Sequence, residues 1–217
     1  MPSQMQYLLD NPERVLELTW DHIQLVGVAI LVATAIGVPL GILIHRVRWL
    51  QLPVLNLSGL LYTVPSLAFF AILIPYTGIG KTTATTALAV YSLLAIVRNT
   101  SAGLDEVDRA SVDAANGMGM TAFQRLRLVE LPLALPYILT GIRIATVAGI
   151  SIAAIAAVIG AGGLGRLIFD GIRTVDANRI IAGSIMCILL ALIADFGIGR
   201  LSLLIRRDLR ASAERGS

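Results

Sequence analysis

Charge is scarce in this chain. Charged residues fill 14% of its 217 positions, where a soluble globular domain carries about 25%. That shortage excludes an ordinary water-soluble fold. Hydrophobic residues at 56% and a mean hydropathy of +0.81 point the same way. Cysteine is nearly missing: Cys187 stands alone inside an apolar run, so no intrachain disulfide can form. His22 and His45 have no metal-ligand or nucleophile partner in register, which leaves metal and enzyme chemistry without a residue set. The stretch from Met1 to Asp21 is acidic and polar, without the basic n-region of a secretory signal. Neither repeats nor low-complexity linkers interrupt the chain, so it reads as a single transmembrane domain over residues 1–217. The formal net charge of +3 is modest, and where it falls speaks for membrane orientation rather than for nucleic acid.

Long uncharged runs are what remains. Crossing a bilayer takes about 20 apolar residues in a helix. Ile23–Ile44, Val54–Ile74, Thr82–Val97, Ile144–Leu164 and Ile180–Gly199 each meet that need or come close, which predicts an all-α polytopic fold with about five spans. The fourth is expected to begin earlier, near Leu133, and the second to tolerate a kink at Pro65 if a neighbouring helix satisfies the freed carbonyl. Lys81 and Arg98 bound the short third run and can reach the headgroups.

Basic residues near span ends favour the cytoplasmic side. An odd number of spans puts the termini on opposite faces. With the C-terminus inside, Arg46, Arg48, Arg98, Arg109, Arg125, Arg127, Arg143, Arg200, Arg206, Arg207, Arg210 and Arg215 are cytoplasmic, 12 of the 17 basic residues. Arg14, Lys81, Arg166, Arg173 and Arg179 stay outside with the acidic N-terminus. The expected topology is therefore N-terminus out and C-terminus in.

That topology makes the segment of about 105–132 a cytoplasmic insert. A short helix is expected from Asp105 to Ala115, because Asp105, Arg109 and Asp113 stand four apart with alternating sign. Gly117 and Gly119 permit a tight reversal. Thr121 can cap a second stretch carrying Phe123, Leu126 and Val129. Pro132 and Pro136 suit the first turn of the next membrane helix, where a missing N–H costs least. An amphipathic helix lying on the bilayer surface is the plain alternative for this insert.

Two motifs mislead. Gly80-Lys81-Thr82 ends like a phosphate-binding loop, but the pattern needs glycine at position 75 and Pro75 stands there. Gly160, Gly162 and Gly165 match G-x-G-x-x-G, yet they follow an apolar helix, and position 180 is Ile rather than an acid. A break that lets backbones approach is the better reading.

The insert carries a spaced pattern: Asp113-Ala114-Ala115, Gly119 four residues on, and Val129-Glu130-Leu131-Pro132 ten beyond that. It resembles the Glu-Ala-Ala coupling loop of ABC-importer permeases of the binding-protein-dependent type, with Asp113 in place of Glu and Val129 in place of Ile. Further stretches resemble the osmoprotectant subfamily that takes glycine betaine, carnitine or choline. These are Leu16-Glu17-Leu18-Thr19, Tyr62-Thr63-Val64-Pro65-Ser66, Ile96-Val97-Arg98-Asn99-Thr100 with Gly103-Leu104, and Ile159 to Gly165. Tyr62 stands where that subfamily often has Gln.

The resemblance implies the type I ABC-importer permease fold. It implies ATPase coupling through Asp113, Ala114, Ala115, Gly119, Val129, Leu131 and Pro132. Partners would be two ATPase subunits that bind ATP and Mg, a second permease subunit, identical or merely similar, and an extracytoplasmic solute-binding protein. The setting would be a bacterial or archaeal cytoplasmic (inner) membrane, with no catalytic residue, cofactor or metal in this chain. Tyr62, Thr63, Pro65, Ser66, Thr146 and Ser151 are candidates for the substrate pathway, and Gly160, Gly162, Gly163 and Gly165 for a gate or a packing break. For Thr63 and Ser66 the competing reading is a hydroxyl bonded back to its own helix. Ergothioneine or methionine-like solutes remain alternatives. So does an ion-coupled secondary transporter or channel, which would want midplane carboxylates. Asp195 is the one candidate, and its place near the inner interface, five residues before Arg200, favours a structural pairing or simple hydration.

Overall fold

The computed structural model describes residues 6–215, with side chains from 7 to 205. The side chains of Arg206, Arg207, Arg210 and Arg215, used above for orientation, lie outside the described residues. Ten α-helices follow in order: α1 (Gln6–Asp10), α2 (Pro12–Arg46), α3 (Gln51–Thr63), α4 (Ser66–Thr77), α5 (Lys81–Asp105), α6 (Arg109–Gly117), α7 (Ala122–Arg125), α8 (Leu131–Ile155), α9 (Gly165–Thr174) and α10 (Ala177–Arg215). No strand occurs among the described residues.

Four stretches are long and apolar enough to span a bilayer unaided: Pro12–Arg46, Lys81–Asp105, Ala122–Ile159 and Ala177–Ile205. The second expected span is instead two helices, α3 and α4, meeting at 101°. Pro65 does not kink a helix here. It ends one, because the residue before proline is driven to extended backbone and both Val64 (ψ 129°) and Pro65 (ψ 133°) are extended.

Ion pairs decide whether this bent pair crosses the layer or turns back. Lys81, at the start of α5, holds Asp21 of α2 at 2.7 Å. Asp105, at the end of α5, accepts from His45 and Arg48 at 2.8 Å each. So α2 and α5 run parallel, and residues 51–77 must travel from one end of α5 to the other. Those ends are about 37 Å apart at 1.5 Å per residue, more than the roughly 30 Å hydrocarbon layer. The bent pair is therefore a broken span, and the described residues make five crossings.

The break is reached at mid-depth, where an unpaired carbonyl is costly. The Tyr91 hydroxyl, ten residues into α5, donates to the Val64 carbonyl at 2.7 Å. This is the outside help that a proline in a second span requires.

α2, α5 and α8 form the centre, with α8 antiparallel to the other two. Without water between helices, close packing of small residues holds such bundles. A side chain on Gly41 would strike Thr100 and the Val97 carbonyl, and one on Gly141 would strike the Ala95 carbonyl and Asn99. Leu25, Ala29, Phe70, Ala84, Leu88, Tyr91, Ile150 and Ala153 fill the core beside them. Outward faces stay apolar, with Leu31, Leu52, Leu60, Ile193 and Phe196 all exposed. Asp195 of α10 receives a two-pronged contact from Arg143 of α8, Nε to Oδ1 and Nη2 to Oδ2, 2.5 Å each. The pairing expected for that carboxylate is present, with a partner the sequence did not name.

Candidate coupling segment and translocation cavity

The insert begins later than its charge spacing suggests. Asp105 closes α5 and pairs with His45 and Arg48, so it takes no part in the following helix. Asp108 is the N-cap instead, accepting from the Ser111 backbone N–H at 3.2 Å, and α6 runs Arg109–Gly117. Gly119 then takes φ +75° with open space around it. The left-handed turn there needs glycine or a costly substitute. Thr121 does cap the next stretch. Its hydroxyl accepts from Gln124 N–H at 3.3 Å, and Gln124 Oε1 accepts from Thr121 N–H at 2.8 Å, a closed capping box.

From Leu126 to Glu130 the chain winds as a π-helical turn that passes directly into α8. The fourth span is thus continuous from Ala122, not from Leu133. Pro132 sits in the first turn of α8 as expected, whereas Pro136 lies inside the helix.

Glu130 is the hub of this end of the molecule. Its carboxylate is 4% exposed and accepts from Arg46 at the end of α2 and, at 2.9 Å, from Arg125 Nε. Arg125 also reaches Asn116 Oδ1 on α6 at 2.5 Å. A buried carboxylate is tolerated only when paired and hydrogen-bonded, and this one is satisfied by groups from two elements. The sequence pattern treats position 130 as a spacer between Val129 and Leu131. Its long-range partner Arg46 was invisible there.

The remaining motif residues divide by face. Asp113 and Ala114 are exposed on α6, beside Met118 at 69%, and Phe123 is exposed to the same degree. Ala115 is fully buried, so its smallness serves the chain's own packing rather than an outside surface. Leu131 packs on Leu104, Ala134 and Ile138, and Val129 and Pro132 are half-buried.

The pathway candidates are not gathered in one place. Tyr62 lines a cavity of about 260 Å³ between α3, α5 and α8, with Tyr91, Ala95, Arg98, Ala148 and Ile152. Thr63 is exposed and donates back to Leu60 O at 2.7 Å, Pro65 is exposed at the break, and Ser66 opens α4 half-buried. Thr146 bonds back to Ile142 O at 2.7 Å and borders a different, apolar groove formed with Val26 and Leu190. Ser151 is exposed on α8, one turn past Ala148. Tyr91, Ser92, Arg98 and Asn99 also line this cavity and were not among the pathway candidates read from the sequence.

At the opposite end, Gly160, Gly162 and Gly163 all have positive φ. A side chain on Gly165 would collide with the Ala154 carbonyl, and one on Gly163 with the His22 ring. His22, fully buried, accepts from Leu164 N–H at Nδ1 (3.3 Å) and donates from Nε2 to Ile150 O (3.1 Å). The glycine break is a close-packed loop latched by one imidazole. No cluster of three potential metal-ligating side chains occurs among the described residues.

Comparison with known proteins adds the following. The chain is 48% identical over 206 residues to the osmoprotectant import permease protein OsmW of Salmonella typhimurium, covering 93% of this chain and 96% of that one. It is 37% identical over 196 residues to the glycine betaine/carnitine/choline transport system permease protein OpuCB of Bacillus subtilis, covering 90% of each. The fold matches a chain of the inward-facing methionine ABC transporter MetNI with a TM-score of 0.81 and 23% identity, over 94% of this chain and 99% of that one. Residues 33–208 match the profile described as binding-protein-dependent transport system inner membrane component, and the chain belongs to that family.

Proposed function

We propose that this chain is the permease subunit of an ATP-driven importer of osmoprotectant quaternary amines such as glycine betaine, carnitine or choline. The relatives' substrates support the solute class. The observation that carries the reading is the α6–α7 segment. It presents Asp113, Ala114, Met118 and Phe123 outward at one end of a five-crossing bundle and is tied to α2 and α8 through Glu130.

On this reading the segment faces the cytoplasm and seats in a separate ATPase subunit, which binds ATP and Mg. A second permease subunit completes the pathway, and a binding protein delivers solute to the glycine-loop end. Closure of the ATPases pushes on α6, and the Glu130 hub passes the displacement to α2 and α8. The two access states are then populated in turn by nucleotide. An ion-coupled carrier is disfavoured because Asp195, the carboxylate it would call on, is already engaged by Arg143.

Reconstitution tests this. Proteoliposomes holding the permease with its ATPase are expected to take up glycine betaine only with both ATP and the binding protein present. Uptake by the permease alone, without ATP, would overturn the reading.

A further inference from the structure

Substrate capture is assigned above to a separate binding protein, yet this chain carries a cavity with matching chemistry. Tyr62 and Tyr91 meet edge to face at its wall, ring centroids 6.1 Å apart at 85°. Phe69 backs Tyr91 at 5.3 Å. The Tyr91 hydroxyl is committed to the Val64 carbonyl, which fixes the ring. Tyr91, Ala95 and Arg98 fall at i, i+4 and i+7, one face of α5, so the backbone positions of Tyr91 and Arg98 are about 10 Å apart along the axis and both side chains line the cavity. Among the described residues Arg98 has no ion-pair partner, whereas Arg46, Arg48, Arg125 and Arg143 each hold a carboxylate. No acidic residue lines the cavity, and its other walls are largely apolar. Its volume of about 260 Å³ suits a small solute, given that one water takes roughly 30 Å³ of liquid.

We propose that the cavity between α3, α5 and α8 is a substrate site within the permease, selective for zwitterionic quaternary amines. The trimethylammonium group rests against Tyr62 and Tyr91, and the carboxylate pairs with Arg98. Aromatic rings attract such cations through the ring quadrupole, more strongly where water is excluded. A guanidinium is matched to a carboxylate. A bare cation such as choline keeps the ring contact but meets the positive Arg98 unscreened, so it binds more weakly than glycine betaine. The proposal rests on the importer reading for its choice of ligand.

The test uses the permease–ATPase complex in lipid nanodiscs without the binding protein, and radiolabelled glycine betaine as probe. Saturable binding is expected, weakened about tenfold by Tyr62→Leu and by Arg98→Gln, and kept by Arg98→Lys. Unlabelled choline is expected to compete about tenfold less well than glycine betaine, and Arg98→Gln to close that gap. Tyr62 and Arg98 are both exposed, so their variants leave the helix packing intact. Absence of saturable binding, binding unchanged in both variants, or a choline gap that survives Arg98→Gln overturns the site. Uptake of glycine betaine by the full transporter is scored in parallel. If uptake persists while binding fails, only the site is lost. If uptake itself is absent, the importer reading falls.

Discussion

His22 on α2 and Ile150 on α8, 128 residues apart in sequence, are joined by an Nε2–H···O=C hydrogen bond of 3.1 Å. The other ring nitrogen accepts from the Leu164 backbone, so one buried side chain joins α2, α8 and the glycine loop. The donor set fixes the tautomer: a backbone N–H can only donate and a carbonyl can only accept. His22→Ala leaves the Leu164 N–H unpaired in a dry site, at about 1–3 kcal/mol, and removes the second donor to the Ile150 carbonyl, which keeps its place in α8. A fall in thermal stability and faster labelling of a cysteine placed at Gly162 are expected. Unchanged values for both would refute the latch.

Glu130→Gln removes the charge that holds Arg46 and Arg125 while keeping an acceptor. We expect a loss of about 2–3 kcal/mol, because Arg46 retains partial hydration. ATP hydrolysis by the assembled transporter should continue with uptake per ATP reduced. If the ratio of uptake to hydrolysis matches that of the unaltered protein, Glu130 is no transmission point.

Gly119 and Gly165 are expected to respond oppositely in kind. Gly119→Ala meets no neighbour and costs only the left-handed backbone, about 1–2 kcal/mol, so the protein folds and ATPase association weakens. Gly165→Ala drives a methyl group into the Ala154 carbonyl, so yield of folded protein should collapse. Equal expression of the two variants would contradict the packing described for the glycine loop.

Orientation can be read from one position. Ala114 is exposed on α6, and Ala114→Cys should react with an impermeant thiol reagent only from the cytoplasmic side. Cys187, partly buried inside α10, gives little background. Labelling from the outer side would invert the proposed topology.

The apolar runs made the crossings readable, since hydropathy over about 20 residues reports burial in lipid directly. The Thr121 cap was equally plain, because a hydroxyl followed three residues later by Gln124 is a local arrangement. What escaped was set by distant partners. Proline at 65 announces a disturbance, but whether it bends or breaks the helix depends on a donor for the Val64 carbonyl, and Tyr91 lies 27 residues away. Asp105 looked like the first charge of α6 because its true partners, His45 and Arg48, are 60 and 57 residues off. The coupling pattern was visible residue by residue, yet the inward face of Ala115 and the Arg46–Glu130 contact belong to the packed molecule and leave no periodic trace. The cavity wall was half seen: Tyr62 belongs to a stretch that resembles the osmoprotectant subfamily, and Tyr91 lies in none.

α2 and α5 are clamped together at both extremities, each clamp joining positions 60 residues apart: Asp21 with Lys81, and His45 with Asp105. Tied near both ends and packed closely at Gly37 and Gly41, the two helices are expected to move together rather than shear. Rocking is then expected where the backbone is already interrupted, at Val64–Pro65 and in the wider turn of 126–130. Tyr91 and Arg98, which α5 carries, would ride with that pair, while Tyr62 on α3 lies beside the interruption, so each swing is expected to open or shut the space between them.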